Sequence, residues 1–337
     1  MEDIVNQQDA GNRRCDIIIA TWNAQEMTRT ALESLHRTAG FPYRLIIVDN
    51  SDETGAREYF RKISASGEFG ETLLVQNESN LGWLKATNIG LQHATADYIC
   101  LLNNDVICGS DWLGQCIEVM ETHPDVGLIN PRGNERSENA RIKDIDGYAR
   151  KLATDNRGLV TELDHCSGFC MVIRRALLER IGYLDEIFDG GHYEDDDLSR
   201  RAQQAGFRCV QCDTALVFHL GSQSFKKIPE ERNRLIRRNR EIYRQRWGTV
   251  RRILVYVSGP RVASADLIAL IRSARVYLVA TRNLPDGVVS FRHAHLTIVE
   301  NKWLWTPLYL FLLATYLRTK HRIDEVRVLF SERTHKG

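Results

Sequence analysis

The stretch Cys15-Asp-Ile-Ile-Ile-Ala-Thr21 opens the pattern that decides the fold of this chain. An apolar, β-branched run of this length is typical of a strand that is buried on both faces of a parallel sheet. Three further strands are predicted at 43–49, 72–76 and 98–102, and helix-like stretches separate them. Strands that alternate with helices predict an α/β fold with a mostly parallel, doubly wound sheet and right-handed crossovers.

Local signals predict where some of the connecting elements begin and end. Asn23 and Glu26 have the spacing of a capping box, which predicts a helix that starts at Asn23 and continues through Leu35. Residues 132–160 are polar without clear periodicity, which predicts a mobile loop or lid. Residues 207–219 predict two further short strands.

Composition limits the class of protein. The chain has 337 residues, of which 43% are apolar and 26% charged, as in a globular protein with a full core. A net charge of +1 does not fit a chain-wide polyanion binder, so we expect no nucleic-acid partner. The first 14 residues lack an apolar leader, which predicts a cytoplasmic location.

The eight cysteines allow two interpretations. Several adjoin or lie within apolar strand-like runs, where a reduced thiol behaves as a small hydrophobic side chain. Cys166 with Cys170, and Cys209 with Cys212, also have a spacing that zinc ligands use. A cytoplasmic location argues against disulfides.

Residues 252–337 predict a separate, smaller α/β unit that follows a first domain at 14–250. Four strand-like and two helix-like runs indicate a βαβ-like arrangement. Because the chain stops soon after the last predicted strand, we expect this unit to be part of a second Rossmann-like domain from a longer natural protein.

Two segments each allow two interpretations, one of which is contact with lipid. Residues 225–252 are rich in Lys and Arg within a helical stretch, which predicts either a solvated helix face or contact with anionic headgroups or a diphosphate-linked acceptor. The apolar run 303–317 is too short for a membrane span of ~20 residues. With its basic flanks, the segment 303–320 suits an interfacial helix or a buried one.

The stretch Gly191-His-Tyr-Glu-Asp-Asp-Asp-Leu198 places four carboxylates in a row before a predicted helix. Like charges this close repel each other, so the cluster needs either a solvated helix start or a site that uses it. Both interpretations stay open from this stretch alone.

Polar residues at other predicted strand ends favour the site. Asn103-Asn104-Asp105 ends one apolar run, and His219 ends another. Strand ends of a parallel sheet are where ligands bind, and Asp105 and His219 together can hold one divalent ion. Asp195 is then available as a general base. Residues suited to contact a nucleotide follow other strands: Asp49, Asn50, Asn80, Gly82 and Asn88.

These motifs together resemble the inverting, GT-A-fold glycosyltransferases of family 2, especially the bacterial rhamnosyltransferase-like polysaccharide enzymes. The resemblance covers roughly residues 14–250. The matching stretches are Ile17–Asn23, Ile47–Ser51, Asn80–Trp83 with Asn88 and Gly90, Leu101–Asp105, Ser167–Phe169, Tyr193–Leu198 with Arg201, Ala205–Phe207 and Val217–His219.

The resemblance implies a role for each matched position. Asp105 would bind Mn²⁺ or Mg²⁺ with His219, and Asp195 would deprotonate the acceptor. The donor would be a sugar linked to UDP, dTDP or GDP. The acceptor would be a lipid-linked saccharide in O-antigen or capsule synthesis. Nucleotide positions are Thr21, Asn23, Glu26, Asp49, Asn50, Asn103 and Asn104; acceptor-side positions are Ser167, Gly168, Phe169, Glu194 and Asp196.

This sequence departs from the family pattern in places, and two other functions remain as alternatives. Asn103 replaces the first aspartate of the metal motif, and Leu84 and Lys85 replace small residues. A nucleotidyltransferase should carry a glycine-rich phosphate loop with a basic residue, which Ala20–Ala24 is not. A non-catalytic sugar-nucleotide sensor or scaffold would have no need of Asp195.

Overall fold

A computed structural model describes residues 14–133, 144–221, 229–258, 264–280, 288, 291–299 and 320–330. The described residues group into two compact units. The first takes its residues from Met1–Val160 and His165–Arg246, and the second from Thr161–Asp164 and Trp247–Gly337.

The strands confirm the α/β prediction. Those before residue 221 are β1 Cys15–Thr21, β2 Tyr43–Asp49, β3 Thr72–Gln76, β4 Tyr98–Leu102, β5 Val106–Cys108, β6 Val126–Arg132, β7 Val160–Glu162, β8 Cys170–Arg174 and β9 Arg208–His219. The main sheet has the order β3-β2-β1-β4-β8-β6-β9-β5. β1 is parallel to β2 and β4, and β6 is parallel to β9, whereas β8 is antiparallel to its neighbours and β5 is antiparallel to β9.

Helices connect these strands and cover the sheet. They are α1 Gln25–Thr38, α2 Thr54–Ser66, α3 Gly82–His93, α4 Trp112–Thr122, α5 Ile145–Asp155, α6 Arg175–Ile181, α7 Glu194–Gln204 and α8 Pro229–Trp247. A close approach holds α3 on the sheet, because a Cβ at Gly90 would lie 2.4 Å from the side chain of Ile18. Only glycine fits at this crossing of helix and strand.

The predicted capping box at the start of α1 is wrong. α1 begins at Gln25, its N-cap is Ala24, and no side chain caps it. Asn23 instead adopts a left-handed conformation with φ of 46°, and its side-chain oxygen accepts a hydrogen bond from the amide of Glu53 at 3.2 Å. A bond to the neighbouring loop therefore replaces the local cap.

The predicted lid and the two predicted strands at 207–219 are also wrong where the structure describes them. Residues 145–155 form α5, whose Ala149 and Leu152 are buried against Leu216. A single strand, β9, runs over 208–219, and its pairing with β6 jumps from Cys212 to Leu216. The polar residues inside this bulge look like a turn in the sequence, but the strand continues beyond them. Residues 134–143 of the predicted lid lie outside the described residues.

One buried ion pair explains the charged residue within the apolar run of β1. Asp16 is fully buried and accepts two hydrogen bonds at 2.8 Å from the guanidinium of Arg44 on β2. The amides of Thr95 and Ala96 donate to the same carboxylate at 2.6 and 2.9 Å. Burial alone would raise the pKa of Asp16, but these hydrogen bonds outweigh it and hold the pKa below its usual range. Asp16 thus ties β1, β2 and the loop before β4 together.

All eight cysteines belong to the first unit, where they are buried free thiols. Burial raises the pKa of most of them, namely Cys15, Cys108, Cys116, Cys166 and Cys170. No three His, Cys, Asp or Glu side chains among the described residues form a group that could hold a metal ion. The zinc interpretation of the cysteines therefore finds no support in the described part of the chain.

The second unit has its own parallel sheet and core. Its strands are β10 Arg252–Ser258, β11 Arg275–Ala280, β12 Leu296–Val299 and β13 Glu325–Phe330, in the order β12-β11-β10-β13, with α9 at Ser264–Ser273. Arg272 on α9 donates two hydrogen bonds to the carboxylate of Glu162, at 2.8 and 2.9 Å. The predicted apolar helix at 303–317 lies outside the described residues. Within the described residues, we find no helix with the length and apolarity that a membrane crossing needs.

His293 makes the stability of the second unit depend on pH. Burial and the neighbouring His295 lower the pKa of His293 from 6.5 to about 4, although Glu162 and Asp164 act in the opposite direction. As the pH falls from 6.5 towards 4, the unfolded chain takes up a proton before the folded unit does. The free energy of unfolding must therefore fall through this window.

We expect the second unit to lose about 2 kcal/mol of stability between pH 7 and pH 5. Amide exchange of residues 291–299, corrected for the intrinsic effect of pH, measures the loss. His293→Gln should remove most of this dependence, and His123→Gln, an exposed histidine of the first unit, should not. Equal protection at both pH values in the parent chain would contradict the assignment.

Candidate active site

A cavity of about 740 Å³ lies in the first unit, at the end of the sheet where β1, β2 and β4 finish. The loop before β8, the start of α7 and the end of β9 complete its wall. The predicted site residues that line it are Thr21, Asn50, Asn80, Gly82, Asn103, Asn104, Asp105, Ser167, Gly168, Phe169, Glu194, Asp195, Asp196 and His219. Most of the predicted site therefore meets in one place.

The pairing of β5 with β9 brings Asp105 to His219. In this antiparallel ladder Val106 lies opposite His219, so Asp105 comes directly beside the imidazole. Oδ1 of Asp105 and Nε2 of His219 are 3.0 Å apart, and the amide of Leu220 donates to the carbonyl of Asp105 at 2.8 Å. The ring of Phe169 stacks on His219 with 5.4 Å between centroids and fixes its plane.

The pair fits a divalent ion. Adjacent ligands of an octahedral ion with bonds of ~2.1 Å lie ~3.0 Å apart. The observed separation of Oδ1 and Nε2 is also 3.0 Å. Mg²⁺ usually takes only one or two protein ligands and completes its shell with water and substrate phosphates. Two ligands of this kind would therefore be enough for an ion that also binds a diphosphate.

Two backbone amides orient the carboxylate of Asp195. The amide of Gly168 donates to Oδ2 at 3.0 Å, and the amide of Asp196 donates to Oδ1 at 3.0 Å. A Cβ at position 168 would lie 3.0 Å from the ring of Trp83, so a side chain here would crowd that ring. Each carboxylate oxygen retains a further lone pair for another donor.

The other aspartates of the acidic run have different surroundings. Asp197 is fully buried, and Arg201 and Arg246 each donate to it at 2.8 Å. Arg201 belongs to the same helix as Asp197, whereas Arg246 belongs to α8. Oδ1 of Asp196 lies 3.5 Å from Nδ1 of His165. The run is therefore partly a structural anchor and partly a cavity wall.

Glu194, the first residue of α7, carries a buried carboxyl group. It is 6% exposed, and burial, followed by the charges of Asp195 and Asp196, raises its pKa to about 8. Its Oε2 has no hydrogen-bond partner among the described residues. A neutral carboxylic acid thus lies beside Asp195 in the cavity wall.

Amide and hydroxyl groups line the side of the cavity that adjoins the ends of β1, β2 and β4. Nδ2 of Asn104 donates to the hydroxyl of Thr21 at 3.3 Å, and Nδ2 of Asn50 donates to the carbonyl of Gly82 at 3.2 Å. The side-chain oxygen of Asn80 accepts from the amide of Gly82 at 2.9 Å. These contacts fix the loop ends while leaving further donors and acceptors on the cavity surface.

Four predicted nucleotide positions are absent from the cavity lining: Asn23, Glu26, Asp49 and Asn88. Asp49 is fully buried and accepts from the amide of Ser51 at 2.9 Å and from Gln76 at 2.8 Å. Asn88 is bonded to the backbone of Leu184. Glu26 is exposed in the first turn of α1. In this structure Asn23, Asp49 and Asn88 hold loops in place.

Sequence reasoning missed several residues that build the site. Buried Asn130 accepts from the amide of Ser167 at 2.7 Å and donates to its carbonyl at 2.9 Å, which shapes the loop that carries Gly168. Trp22 and His165 line the cavity as well. The position of Asn130 at the end of an apolar run was a usable signal, whereas nothing local marks His165.

Comparison with known proteins identifies relatives of the first unit. Residues 16–182 match the model of the family described as glycosyl transferase family 2. A poly-β-1,6-N-acetyl-D-glucosamine synthase of Staphylococcus epidermidis is 22% identical over 278 residues, which cover 80% of this chain and 66% of the synthase. An uncharacterized protein of Sinorhizobium fredii is 25% identical over 258 residues, 71% of this chain and 28% of its own length. The chain thus spans less than two thirds of these relatives.

A solved structure shares the fold. The mannosyltransferase of Pyrobaculum calidifontis, determined in complex with GDP-Man and Mn²⁺, superposes with a TM-score of 0.53 at 16% identity. The superposition covers 69% of this chain and 64% of the mannosyltransferase. At this identity the likeness shows the fold alone.

The raised pKa of Glu194 predicts a pH-dependent stability of the first unit. As the pH rises from 4.5 to about 8, the unfolded chain loses this proton before the folded protein does, so the folded state loses stability. Glu194→Gln should therefore stabilise the protein by roughly 2–4 kcal/mol at pH 8 and by little at pH 4.5. Urea unfolding at both pH values measures the difference.

Glu118→Gln, at an exposed position on α4, is the matched control and should leave stability unchanged at either pH. The assignment fails if Glu194→Gln has the same effect on stability at pH 4.5 as at pH 8.

Proposed function

Because this chain carries a glycosyl transferase family 2 domain with the GT-A fold, we propose that it is a metal-dependent, inverting glycosyltransferase. It moves a sugar from a nucleotide diphosphate to a hydroxyl of a saccharide acceptor. The observation that carries the proposal is the meeting of the Asp105–His219 pair and Asp195 in one cavity. A transferase needs a site for the leaving diphosphate and a base for the acceptor, and the cavity offers both.

Asp195 is the proposed base. It accepts the proton of the acceptor hydroxyl while the acceptor oxygen attacks the anomeric carbon of the donor. The bond from that carbon to the diphosphate breaks on the opposite face, so the configuration at the carbon is inverted. The amides of Gly168 and Asp196 hold the carboxylate in one orientation, which keeps the base aligned before the acceptor arrives.

Asp105 and His219 are the proposed metal ligands. A divalent ion bound there would neutralise charge on the diphosphate as it leaves. Phe169 keeps the imidazole plane fixed, and the side-chain nitrogen Nδ2 of Asn103 lies 3.4 Å from Nε2 of His219, within reach of a phosphate oxygen near the pair. Either Mn²⁺ or Mg²⁺ suits this mixture of oxygen and nitrogen donors.

In this proposal the nucleotide of the donor occupies the side of the cavity that adjoins the ends of β1, β2 and β4. The groups available to a ribose, base or diphosphate there are Thr21, Asn50, Asn80, Gly82 and Asn104. Asn23, Asp49 and Asn88 support this wall from behind, and Glu26 lies outside it. UDP, dTDP and GDP sugars all belong to the donor class that such a wall accepts.

The acceptor approaches from the side of the acidic helix. Ser167, Gly168, Phe169, Glu194 and Asp196 form that wall, and the neutral acid of Glu194 provides a donor for a sugar hydroxyl. The relative named as a poly-β-1,6-N-acetyl-D-glucosamine synthase supports a saccharide acceptor. We extend the proposal to a lipid-linked acceptor in O-antigen or capsule synthesis.

The lipid-linked acceptor implies peripheral contact with the inner face of the cell membrane. The exposed arginines of α8, among them Arg234, Arg237 and Arg244, are suited to anionic headgroups or to an acceptor diphosphate. Residues 225–228 and 303–319, which belong to the same proposal, lie outside the described residues.

Asp195→Asn should reduce transfer by roughly 100-fold or more, because the amide cannot accept the proton. Binding of the nucleotide diphosphate should stay within about twofold of the parent chain, because the amide keeps the shape of the side chain. Transfer and hydrolysis are measured with a panel of UDP, dTDP and GDP sugars. Asp155→Asn, an exposed aspartate on α5, serves as the control.

Normal turnover of Asp195→Asn would remove the base assignment. If the parent chain turns over no sugar donor yet binds one, the sensor alternative takes its place.

Asp105→Ala should weaken Mn²⁺-dependent binding of UDP, dTDP or GDP by roughly tenfold or more, because the ion loses its only carboxylate ligand in the described site. Calorimetric titration with and without Mn²⁺ measures the effect independently of turnover. The control variant Asp155→Asn should bind as the parent does. The metal assignment is overturned if the parent chain binds the nucleotides with the same affinity in the presence and absence of Mn²⁺ and Mg²⁺.

A further inference from the structure

The loop that leads into the acidic helix has an unusual backbone. Gly190, Gly191, His192 and Tyr193 have φ values of 83°, 83°, 69° and 78°, all in the left-handed region. Glycine adopts this conformation freely, but His192 and Tyr193 each bear a strain of ~1 kcal/mol or more. Such a backbone persists only when its surroundings hold it.

One buried side chain on the basic helix α8 contacts this loop at several points. Asn239 is fully buried, and its amide nitrogen lies within hydrogen-bond distance of a group of backbone carbonyl oxygens. They belong to Phe188 at 3.1 Å, Asp189 at 3.4 Å, Gly191 at 2.8 Å and His192 at 3.2 Å. Because these carbonyls converge on a single donor group, the left-handed turn closes around Asn239.

Other residues of α8 support the same loop and the helix after it. Nε of Arg240 donates to the hydroxyl of Tyr193 at 3.0 Å, and the ring of Tyr243 lies 5.4 Å from that of Tyr193. Arg246 donates at 2.8 Å both to Asp185, before the loop, and to Asp197, on α7. The inward face of α8 is thus a clamp on the segment 185–197.

We propose that Asn239 is a positioning residue that sets the orientation of Asp195. The inference rests on the proposed function, because it assigns Asn239 a role in the reaction of that site. Tyr193 is the N-cap of α7 and Asp195 is its second residue, so the turn that Asn239 closes determines where the base points. The cavity wall on this side is the same loop, Asp189 to Tyr193.

The isosteric change Asn239→Asp tests the proposal, because it keeps the shape and replaces the donor with an acceptor at pH 8. We expect kcat to fall roughly 10- to 100-fold, as for a misaligned catalytic group, while the donor KM and the Kd for UDP, dTDP or GDP with Mn²⁺ stay within about twofold. Amide exchange across 186–200 should accelerate in the same variant. Asn233→Ala, an exposed asparagine on the same helix, should change none of these quantities.

Arg240→Ala provides a second variant if Asn239→Asp does not fold, because Arg240 is exposed and the change removes its bond to Tyr193. Its kcat should fall roughly fivefold with nucleotide binding unchanged. Wild-type kcat in a folded Asn239→Asp, or an equal loss of kcat and nucleotide affinity, overturns the positioning role. A parent chain that transfers no sugar overturns the proposed function instead, so the two failures are distinguishable.

Discussion

The antiparallel pairing of the three-residue strand β5 with the end of β9 is the constraint on which the site depends. It joins Asp105 and His219 across 114 residues of chain, and it does so through backbone register rather than through the two side chains themselves. Closing a loop of this length costs conformational entropy, which the pairing of the whole sheet offsets. The side chains at the strand ends are therefore preorganised before any substrate binds.

The strands of the first sheet could be predicted from the sequence because their signal is local. A strand buried on both faces is predominantly apolar, and β1 and β4, which are buried along their whole length, have the predicted bounds for this reason. β9 and α5 could not be predicted in the same way. The polar bulge of β9 looks like a turn in the sequence, and α5 is stabilised by the burial of Ala149 and Leu152 against a distant strand.

The candidate site shows the same division between local and distant signals. Asp105 stands out because it follows an apolar run, and Asp195 stands out because it belongs to a run of four carboxylates. Their supports include Asn239 and Arg246, which come from another element, α8, and carry no local pattern. The basic composition of α8 predicted a surface property, yet its inward face holds the loop before the acidic helix. Resemblance to a family identifies the reacting residues more readily than it identifies the residues that position them.

All eight cysteines are buried in the first unit, so the reactivity of their thiols reports when that unit opens. Only an accessible thiolate reacts with an alkylating reagent, so labelling of the first unit must wait for a local or global opening event. The described residues of the second unit include no cysteine, and its opening should leave labelling unchanged. The number of labelled thiols, measured by mass spectrometry, would thus follow the opening of the first unit alone, without any engineered cysteine.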